Sequence, residues 1–444
     1  MKKAFLLLAL LPVLAFGQDY YFGDFKNFDS KISSPEDYLA YKIGDHHTRY
    51  DKIVEYMRYL ENSSNRVKLE VFGESVEKRP QIILSITSEN NHKNLETIRL
   101  EHLKLSDPSA SSSVDKNMPV IIQLGFNVHG NEASGGEASL LTAYYLAAAR
   151  GEEIDKILEN SVIFIEPVLN PDGRDRFTTW VNMNRSLHAS PDGNDREHTE
   201  AWPGGRTNHY WFDLNRDWLP LVQQESRNRV KRYHNWRPNI VTDHHEMGTN
   251  STFFFEPTKP GSENRLVPLE NYNKLNKLFA EGYSKELDKI DHYYDSGNSF
   301  DNSYPGYGSS YGDINGGLAI LFEQASSRGL VQLTDLGYLM HYSLGILNQL
   351  TGALSSVKTA VANRELMNDY MRRFYTDAYK SAKNDKTLAY IFGDKNDIGR
   401  TYDFVNLLLM HKIQVYNLKD KVKFNNNEFN PGSAFVVPCE QAQY

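Results

Sequence analysis

Four apolar segments in the middle of the chain each run directly into polar residues. They are PVIIQLGFNVHGNE (119–132), SVIFIEPVLNPDG (161–173), PNIVTDHHE (238–246) and GGLAILFEQAS (316–326). Near-continuous, β-branched runs of this kind are typical of strands that are buried on both faces of a sheet. An Ala/Leu-rich helix is predicted between the first two, at 133–150. The alternation predicts an α/β fold whose mostly parallel, mixed central sheet has helices on both faces.

The flanking segments extend this fold. Residues 47–62 have the apolar spacing of a helix, and 67–87 have the pattern of two strands around a turn. A polar stretch rich in Gly, Pro and Asp at 187–210 predicts a surface excursion near a cleft. One or two helices over 352–385 are expected to close the domain, so we predict a principal domain over 39–385.

The C-terminal part of the chain has a pattern of its own. TLAYIFG, a helix over IGRTYDFVNLLLMHKI and the strand VYNL form a βαβ-like pattern within 387–418, and the apolar stretch AFVVP follows. We interpret 386–444 as the beginning of a second α/β domain that is cut short. A small C-terminal appendage is the alternative interpretation.

The N-terminal residues MKKAFLLLALLPVLAFGQ have the composition of a signal peptide. Two lysines precede an apolar core over Ala4–Phe16, and small residues beside it offer a cleavage site. The apolar run is too short to span a bilayer, and no cysteine follows to carry a lipid anchor. We therefore expect a signal peptide at 1–17, an extension at 18–38, and a secreted or periplasmic protein. A buried N-terminal helix is the alternative.

Charge and cysteine content narrow the possible partners. The formal net charge is -8, from 49 basic and 57 acidic residues, which argues against a nucleic-acid partner because such proteins need a basic face. Cys439 is the single cysteine, so no intrachain disulfide can form. Stability is therefore expected from a large core, from a bound metal, or from both.

Polar residues at the ends of the predicted strands are candidates for a site, because ligands of open α/β sheets bind at the carboxyl ends of strands. His129 and Glu132 form an H-x-x-E directly after the first strand. Catalytic zinc sites use three protein ligands, often two His and one carboxylate, and leave one position open for water. At a strand-to-helix corner, this spacing lets both side chains reach one ion. Taken alone, the pair is equally compatible with a structural histidine.

A second histidine is expected from the end of another strand, and DHHEMG (243–248) supplies it. We choose His245, because Asp243 and Glu246 can then support it from behind. His244 points to the other side of the strand and is expected to pack in the core.

Two further groups carry chemistry. Glu323 directly follows LAILF, and a carboxylate at the end of so apolar a strand must be paired, bound to metal or catalytic. Beside a zinc-bound water it can act as general base and acid, whereas a salt bridge to Arg328 is the structural alternative. In DLNRDW, the adjacent Asn215 and Arg216 suit recognition of a carboxylate, although Arg is also a common partner of surface acids.

The ordered motifs GESVEKRPQIILSIT, HGNE, NPDG, DLNRDW, a strand-end His and a late strand-end Glu are similar to those of a known family. From about residue 39 to 350, the chain resembles the zinc carboxypeptidases of the pancreatic carboxypeptidase A type, as a bacterial-type secreted member. The resemblance implies a metallocarboxypeptidase domain over 39–385 that binds one Zn2+ and acts on peptide or protein C-termini.

The resemblance also implies roles for single residues. His129, Glu132 and His245 would bind zinc, Asp213 would orient His129, and Glu323 would be the general base. The remaining roles concern the substrate: Asn215 and Arg216 would hold its C-terminal carboxylate, and Arg185, fifteen residues after Asn170, would polarise the scissile carbonyl.

Some positions depart from the family pattern or leave a choice. A mobile Tyr usually covers the substrate, and YPGYGSSYGD offers Tyr304, Tyr307 and Tyr311, of which we choose Tyr307. Asn131 stands where many animal relatives have Arg. Asp313 lies in the region of the specificity pocket, where it would either favour basic C-terminal residues or serve as a structural acid.

Two other functions are compatible with these residues. The first is a zinc amidase of the same fold that acts on cell-wall peptides or acyl-amino acids. The second is a non-catalytic exported binding protein, against which the intact set of ligands and Glu323 argues. The segment 18–38 is too short for an inhibitory pro-domain, so we expect direct activity after export.

Overall fold

The computed structural model describes residues 17–110, 115–425 and 427–443, with the backbone alone at 17–19. The predicted signal peptide lies outside the described residues except for Gly17. Among the residues described, no helix is both long and apolar enough to cross a bilayer.

The helices and strands of these residues are as follows. The helices are α1 (Gly17–Phe22), α2 (Pro35–Leu39), α3 (Tyr50–Ser63), α4 (Glu89–Lys93), α5 (Leu95–Leu103), α6 (Ser134–Ala148), α7 (Glu152–Glu159), α8 (Pro171–Asn184), α9 (Gln224–Trp236), α10 (Lys277–Leu287), α11 (Gly308–Tyr311), α12 (Tyr342–Ala362), α13 (Arg364–Asn384) and α14 (Ile398–Met410). The strands are β1 (Val67–Glu74), β2 (Pro80–Ile86), β3 (Val120–Phe126), β4 (Ser161–Glu166), β5 (Ile240–Met247), β6 (Phe253–Phe255), β7 (Tyr294–Asp295), β8 (Leu318–Ala325), β9 (Val331–Leu333), β10 (Leu339–His341), β11 (Ala389–Phe392), β12 (Tyr416–Asn417), β13 (Val422–Phe424), β14 (Asn427–Phe429) and β15 (Phe435–Pro438).

The four apolar runs form the centre of the main sheet as β3, β4, β5 and β8. Within the described chain this sheet has eight strands in the order β1-β2-β4-β3-β5-β8-β6-β7. β3 is parallel to both β4 and β5, and β5 is parallel to β8. The pairs β1–β2, β2–β4 and β6–β8 are antiparallel. The predicted mostly parallel, mixed sheet is therefore confirmed.

Helices cover both faces of this sheet, as predicted. All residues of β3 and β4 are buried. Ile122 of β3 packs in one core with Leu140 of α6 and Ile346 of α12. The adjacent Ile121 points to the opposite face, where it packs with Trp236 of α9. Successive side chains of a strand alternate between faces, so a strand with helices on both sides must be apolar throughout.

The predicted elements outside the sheet centre are also present. The helix expected at 47–62 is α3, the helix at 133–150 is α6, and the strand pair at 67–87 is β1 and β2. The region expected to hold one or two closing helices contains two, α12 and α13.

Residues 386–444 contain the predicted strand, helix and strand as β11, α14 and β12. A further strand, β15, lies between β11 and β12 and is antiparallel to both. This part contacts the preceding residues through polar groups: Tyr311 Oη is 2.7 Å from His411 Nδ1, and Arg237 Nη2 donates to Gln443 Oε1.

Candidate metal centre

The turn after β3 carries two of the predicted ligands. The chain leaves the strand at Asn127, whose φ of +58° is in the left-handed region that Asn tolerates better than most residues. A Cβ atom on Gly130 would lie 2.0 Å from the carbonyl carbon of Gly173, so only glycine fits at this close approach. The turn then leads into α6 with His129 and Glu132 between the two elements.

His129, Glu132 and His245 meet at one point, and all three are buried. His129 Nδ1 lies 2.8 Å from Glu132 Oε1, and His245 Nδ1 lies 2.8 Å from Glu132 Oε2. The two Nδ1 atoms are 3.2 Å apart. The structure thus brings together the three residues that the sequence predicts as ligands, with one potential ligand atom of each directed at the others.

Both imidazole rings are held from behind by carboxylates. His129 Nε2 donates to Asp213 Oδ1 at 2.9 Å, and His245 Nε2 lies 2.8 Å from Asp243 Oδ2. When each ring carries its proton on Nε2, Nδ1 is free to bind a cation, and such carboxylate–histidine pairs orient metal ligands in proteins. Two imidazole nitrogens and one carboxylate are a donor set that fits a catalytic zinc ion.

The other two residues of DHHE have different roles. Glu246 does not support His245: its Oε1 accepts from the Ser134 backbone N–H at 2.6 Å, at the start of α6. His244 points away from the site, as predicted, and its Nδ1 lies 2.6 Å from Gln349 Oε1. Its ring stacks on those of Phe126 and Phe322.

The carboxylates of this centre remain charged. Burial raises the pKa of Glu132, but the charges of His129 and His245 lower it more, and the resulting pKa lies well below the usual range. Burial likewise raises the pKa of Asp213, whereas its hydrogen bond with His129 and the charge of Arg206 lower it to a net value below normal. Both carboxylates are therefore anionic at neutral pH and are paired with the neighbouring imidazoles and Arg206.

Arg206, and not Arg185, is the arginine at this centre. Arg206 Nη1 lies 3.1 Å from His129 Nδ1 and 3.2 Å from Glu132 Oε1, and its Nη2 donates to Asp213 Oδ2 at 2.9 Å. Arg185 Nη1 instead donates to the carbonyl of Asp45 at 2.7 Å. The count of fifteen residues from Asn170 ends at the close of α8, before the loop that returns to the centre. In the sequence, Arg206 lies only seven residues before Asp213, a residue of the predicted site, and this proximity could have identified it.

Asn215 and Arg216 lie in a short 3-10 turn beside His245. Asn215 Nδ2 is 2.9 Å from His245 Nε2, and its Oδ1 accepts from the Gly308 N–H at 2.8 Å. The side chain of Arg216 is 50% exposed, so its guanidinium is open to a ligand. This guanidinium lies 4.7 Å from the centroid of the Tyr307 ring.

Of the three candidate tyrosines, only Tyr307 lines the same cavity as the metal centre. Tyr304 donates its hydroxyl hydrogen to the carbonyl of Arg216 at 2.9 Å. Tyr311 is buried, and its hydroxyl lies 2.8 Å from His234 Nε2.

Glu323 completes the polar wall of a cleft of about 520 Å³ that also contains the three potential ligands, Arg206 and Arg216. It lies opposite His245 in the register of β5 and β8. Burial raises the pKa of Glu323, His245 lowers it, and Glu132 raises it, with a net value above normal. Arg328, the alternative partner, is not part of the cleft wall.

Comparison with known proteins identifies the family. Residues 53–315, more than half of the chain, match the family model described as zinc carboxypeptidase. The chain belongs to the zinc carboxypeptidase family.

Named relatives of this zinc carboxypeptidase family member match over part of their length. Carboxypeptidase 2 of Trichophyton rubrum is 26% identical over 208 residues, which cover 45% of this chain and 34% of the relative. Probable carboxypeptidase 2 of Trichophyton verrucosum (strain HKI 0517) is 28% identical over 152 residues, covering 34% of this chain and 24% of the relative. The matches therefore span about a quarter to a third of the relatives.

The chain was also compared with solved structures. Carboxypeptidase A from Helicoverpa armigera has a TM-score of 0.47 at 17% identity, covering 74% of this chain and 76% of its own. The metallo-carboxypeptidase from Pseudomonas aeruginosa has a TM-score of 0.45 at 15% identity, covering 72% of this chain and 68% of its own.

In this zinc carboxypeptidase family member, Asp313 does not line the cleft. It is fully buried, and its Oδ1 accepts from Ala319 N–H at 2.8 Å and from Asn271 Nδ2 at 3.0 Å. Burial raises the pKa of Asp313 to about 8. Asp301 lines the cleft instead, next to Phe300. Asp313 is thus the structural acid of the two interpretations, and Asp301 is an acid that the sequence pattern did not single out.

Proposed function

We propose that this chain is a zinc-dependent metallocarboxypeptidase that removes C-terminal residues from peptides. The observation that carries the proposal is one cleft in which a His-Glu-His group, the partly buried Glu323 and the half-exposed Arg216 lie together. This combination supports hydrolysis beside a cation and recognition of a free carboxylate by the same cleft.

Zinc would be held by His129 Nδ1, His245 Nδ1 and the Glu132 carboxylate. When bound, it supplies a Lewis acid that polarises a carbonyl and lowers the pKa of water. Asp213 and Asp243 orient the two rings from behind, which keeps both Nδ1 atoms available.

Glu323 is the proposed general base and acid. Its carboxylate takes a proton from the attacking water and returns that proton to the nitrogen of the leaving residue. Burial raises its pKa towards the working range of such a group. Its position opposite His245 in the strand register supports this proposed role.

Arg206 takes the role that the family resemblance assigned to Arg185. Its guanidinium lies beside His129 and Glu132. In the proposed reaction its N–H groups leave these partners and donate to the oxygen of the scissile carbonyl as negative charge develops there.

Arg216 and Asn215 are the proposed clamp for the terminal carboxylate. A guanidinium presents several N–H donors in a plane and binds carboxylates in a bidentate manner. The ring of Tyr307 packs against this guanidinium and is the proposed cover of the same part of the cleft.

The test compares peptides that differ only in their last group. The purified protein is expected to release single residues from peptides with a free C-terminus and to leave the amidated forms intact. A chelator should abolish the activity and added zinc should restore it. Cleavage of acyl-amino acids or cell-wall peptides with no cleavage of ordinary peptides would favour the amidase, and indifference to the chelator would contradict both.

We further propose that residues 1–17 direct export to the periplasm or the exterior, and that 39–385 and 386–444 are separate domains. Limited proteolysis that yields a stable fragment ending near residue 385 would support the division. Degradation without such a fragment would contradict it.

A further inference from the structure

Four aromatic side chains are exposed on the loop that precedes Asp213. The exposed fractions are 77% for Trp202, 59% for Tyr210, 57% for Trp211 and 47% for Phe212. The rings of Trp202 and Trp211 contact each other with centroids 4.7 Å apart. We call these four residues the aromatic platform. Adjacent exposed apolar side chains of this size mark interaction sites more often than random surface.

Hydrogen bonds to a buried side chain fix the backbone of the loop that carries these rings. Asn208 is fully buried, and its Oδ1 accepts from the backbone N–H groups of Tyr210 at 3.0 Å and Phe212 at 3.1 Å. Trp211 has a φ of +64°, a conformation that is unfavourable for a bulky residue. A strained backbone persists only where its surroundings impose it, which is a common property of binding loops.

The same loop reaches the metal centre. It carries Arg206, which contacts His129 and Glu132. Next to it, a Cβ atom on Gly205 would lie 3.2 Å from the backbone nitrogen of Asn131. Arg176 of α8 secures the loop by donating to the carbonyls of Gly204 at 2.7 Å and Asn208 at 3.2 Å. The aromatic platform therefore lies on the loop that brings Arg206 to the cleft, next to the segments after β3 and β4, and its four side chains are outside the cleft wall itself.

The other end of the cleft lies nearer to the edge of the sheet formed by β6 and β7. Phe300, Asp301 and Tyr307 follow β7 and precede α11, and Leu321 on β8 lines the cleft with them. In the strand order β4-β3-β5-β8-β6, Leu321 on β8 is separated from β3 and β4 by β5. Since Arg216 contacts Tyr307, the proposed clamp places the leaving residue at the β8–β6 end.

We propose that the aromatic platform binds apolar and aromatic side chains of the peptide upstream of the scissile bond. This inference rests on the proposed function, because the clamp at one end directs the rest of the peptide to the other. Tryptophan and tyrosine rings offer large apolar faces that pack on such side chains without large loss of conformational freedom.

The experiment measures selectivity for upstream residues. Two hexapeptides share their last two residues and carry either Phe or Ser upstream, and each is cleaved by the wild type, Trp202→Ala and Trp211→Gly. Glycine is chosen at 211 because it adopts a positive φ without strain. The wild type is expected to prefer the Phe peptide through a lower KM, and each variant should reduce that preference ~5-fold. Tyr390→Ala, which removes an aromatic ring 65% exposed on β11, is the matched control and should retain it.

Equal KM values of the wild type for the two peptides, or an unchanged preference in both variants, would overturn the proposal. If the wild type cleaves no peptide, the proposed function fails, and tryptophan fluorescence then tests the aromatic platform. The Phe peptide should quench the fluorescence of the wild type, and weaker quenching in Trp202→Ala would support the aromatic platform as the binding site. The absence of quenching, or quenching by N-acetylglucosamine oligomers alone, would overturn it.

Discussion

Arg174 donates a hydrogen bond to Asn127 Oδ1 at 3.0 Å, behind the turn that carries the first two ligands. The amide of Asn127 in turn donates to the carbonyls of His129 at 2.6 Å and Glu132 at 2.9 Å. Arg174 also donates to the carbonyl of Ala133 at 2.7 Å. All these groups are buried, so one arginine and one amide hold the backbone on both sides of the ligand pair.

Asn127→Gly should weaken zinc binding. Glycine accepts the φ of +58° but removes the two N–H donors that hold the carbonyls of the turn. Loss of supporting contacts of this kind lowers metal affinity by about 10- to 100-fold. Competition with a fluorescent zinc chelator measures the change. Asn425→Gly, at another left-handed asparagine with φ +54°, is the control and should bind zinc like the wild type. Equal affinity of both variants would contradict the role of Asn127.

Arg206→Ala should lower kcat strongly while zinc stays bound. Removal of one donor to a developing oxyanion costs about 100- to 1000-fold in kcat. Arg185→Ala should cost much less, because the Arg185 guanidinium donates to the Asp45 carbonyl and not to the centre. Steady-state kinetics of the two variants on one peptide distinguishes them. A larger loss in Arg185→Ala would restore the assignment made by counting from Asn170.

Asp301→Asn should change the choice of leaving residue. Asp301 lines the cleft, and its Oδ1 accepts from Ser303 Oγ at 2.6 Å. The wild type is expected to have a higher kcat/KM for peptides that end in Lys or Arg than for peptides that end in Leu. In the variant the ratio of these two values should be about tenfold smaller. Asp313→Asn is the control and should leave the ratio unchanged. If the wild type prefers Leu, Asp301 does not set the specificity.

Asp313 should make the protein less stable as pH rises. Burial raises its pKa to about 8, and the buried Glu256, whose pKa burial also raises to about 8, lies close enough to interact with it. Between the unfolded pKa near 4 and the folded value, the native state binds more protons than the unfolded state. The contribution of these two groups to stability is therefore greatest below the unfolded pKa and falls as the pH rises through this window, by up to about 1.4 kcal/mol per pH unit for each group.

Asp313→Asn removes one of these titrations while it keeps the oxygen that accepts from Ala319. Urea unfolding at pH 5 and pH 8 should show a smaller loss of unfolding free energy in the variant than in the wild type. A pH dependence identical to that of the wild type would contradict the assignment.

The parts that were predictable from sequence share a local cause. Strands buried on both faces are apolar throughout, so β3, β4, β5 and β8 are visible as runs, and the residues that end them share one edge. Because successive side chains of a strand point in opposite directions, the sequence could distinguish His245, which points to the site, from His244, which points away from it. Glu323 could be selected from the sequence because an unpaired carboxylate in apolar surroundings is unfavourable, so a carboxylate at the end of an apolar strand is expected to have a partner or a function.

The remaining parts depend on contacts between distant segments. The loop that returns Arg206 to the centre has no periodic pattern, so counting residues from Asn170 selected Arg185. Asp301 and Asp313 lie twelve residues apart in similar polar surroundings, and only the packing against Asn271 and Ala319 shows which of them is buried. Arg174 has the sequence context of a surface arginine, yet it is fully buried below the ligand turn.

Zinc content of two neighbouring histidine variants tests the metal centre most directly. His245→Gln and His244→Gln make the same change at adjacent buried positions on β5, but only His245 directs a nitrogen at Glu132. Elemental analysis of the folded proteins should find about one zinc per chain in the wild type and in His244→Gln, and little in His245→Gln. Full zinc in His245→Gln, or loss of zinc in His244→Gln alone, would contradict the account.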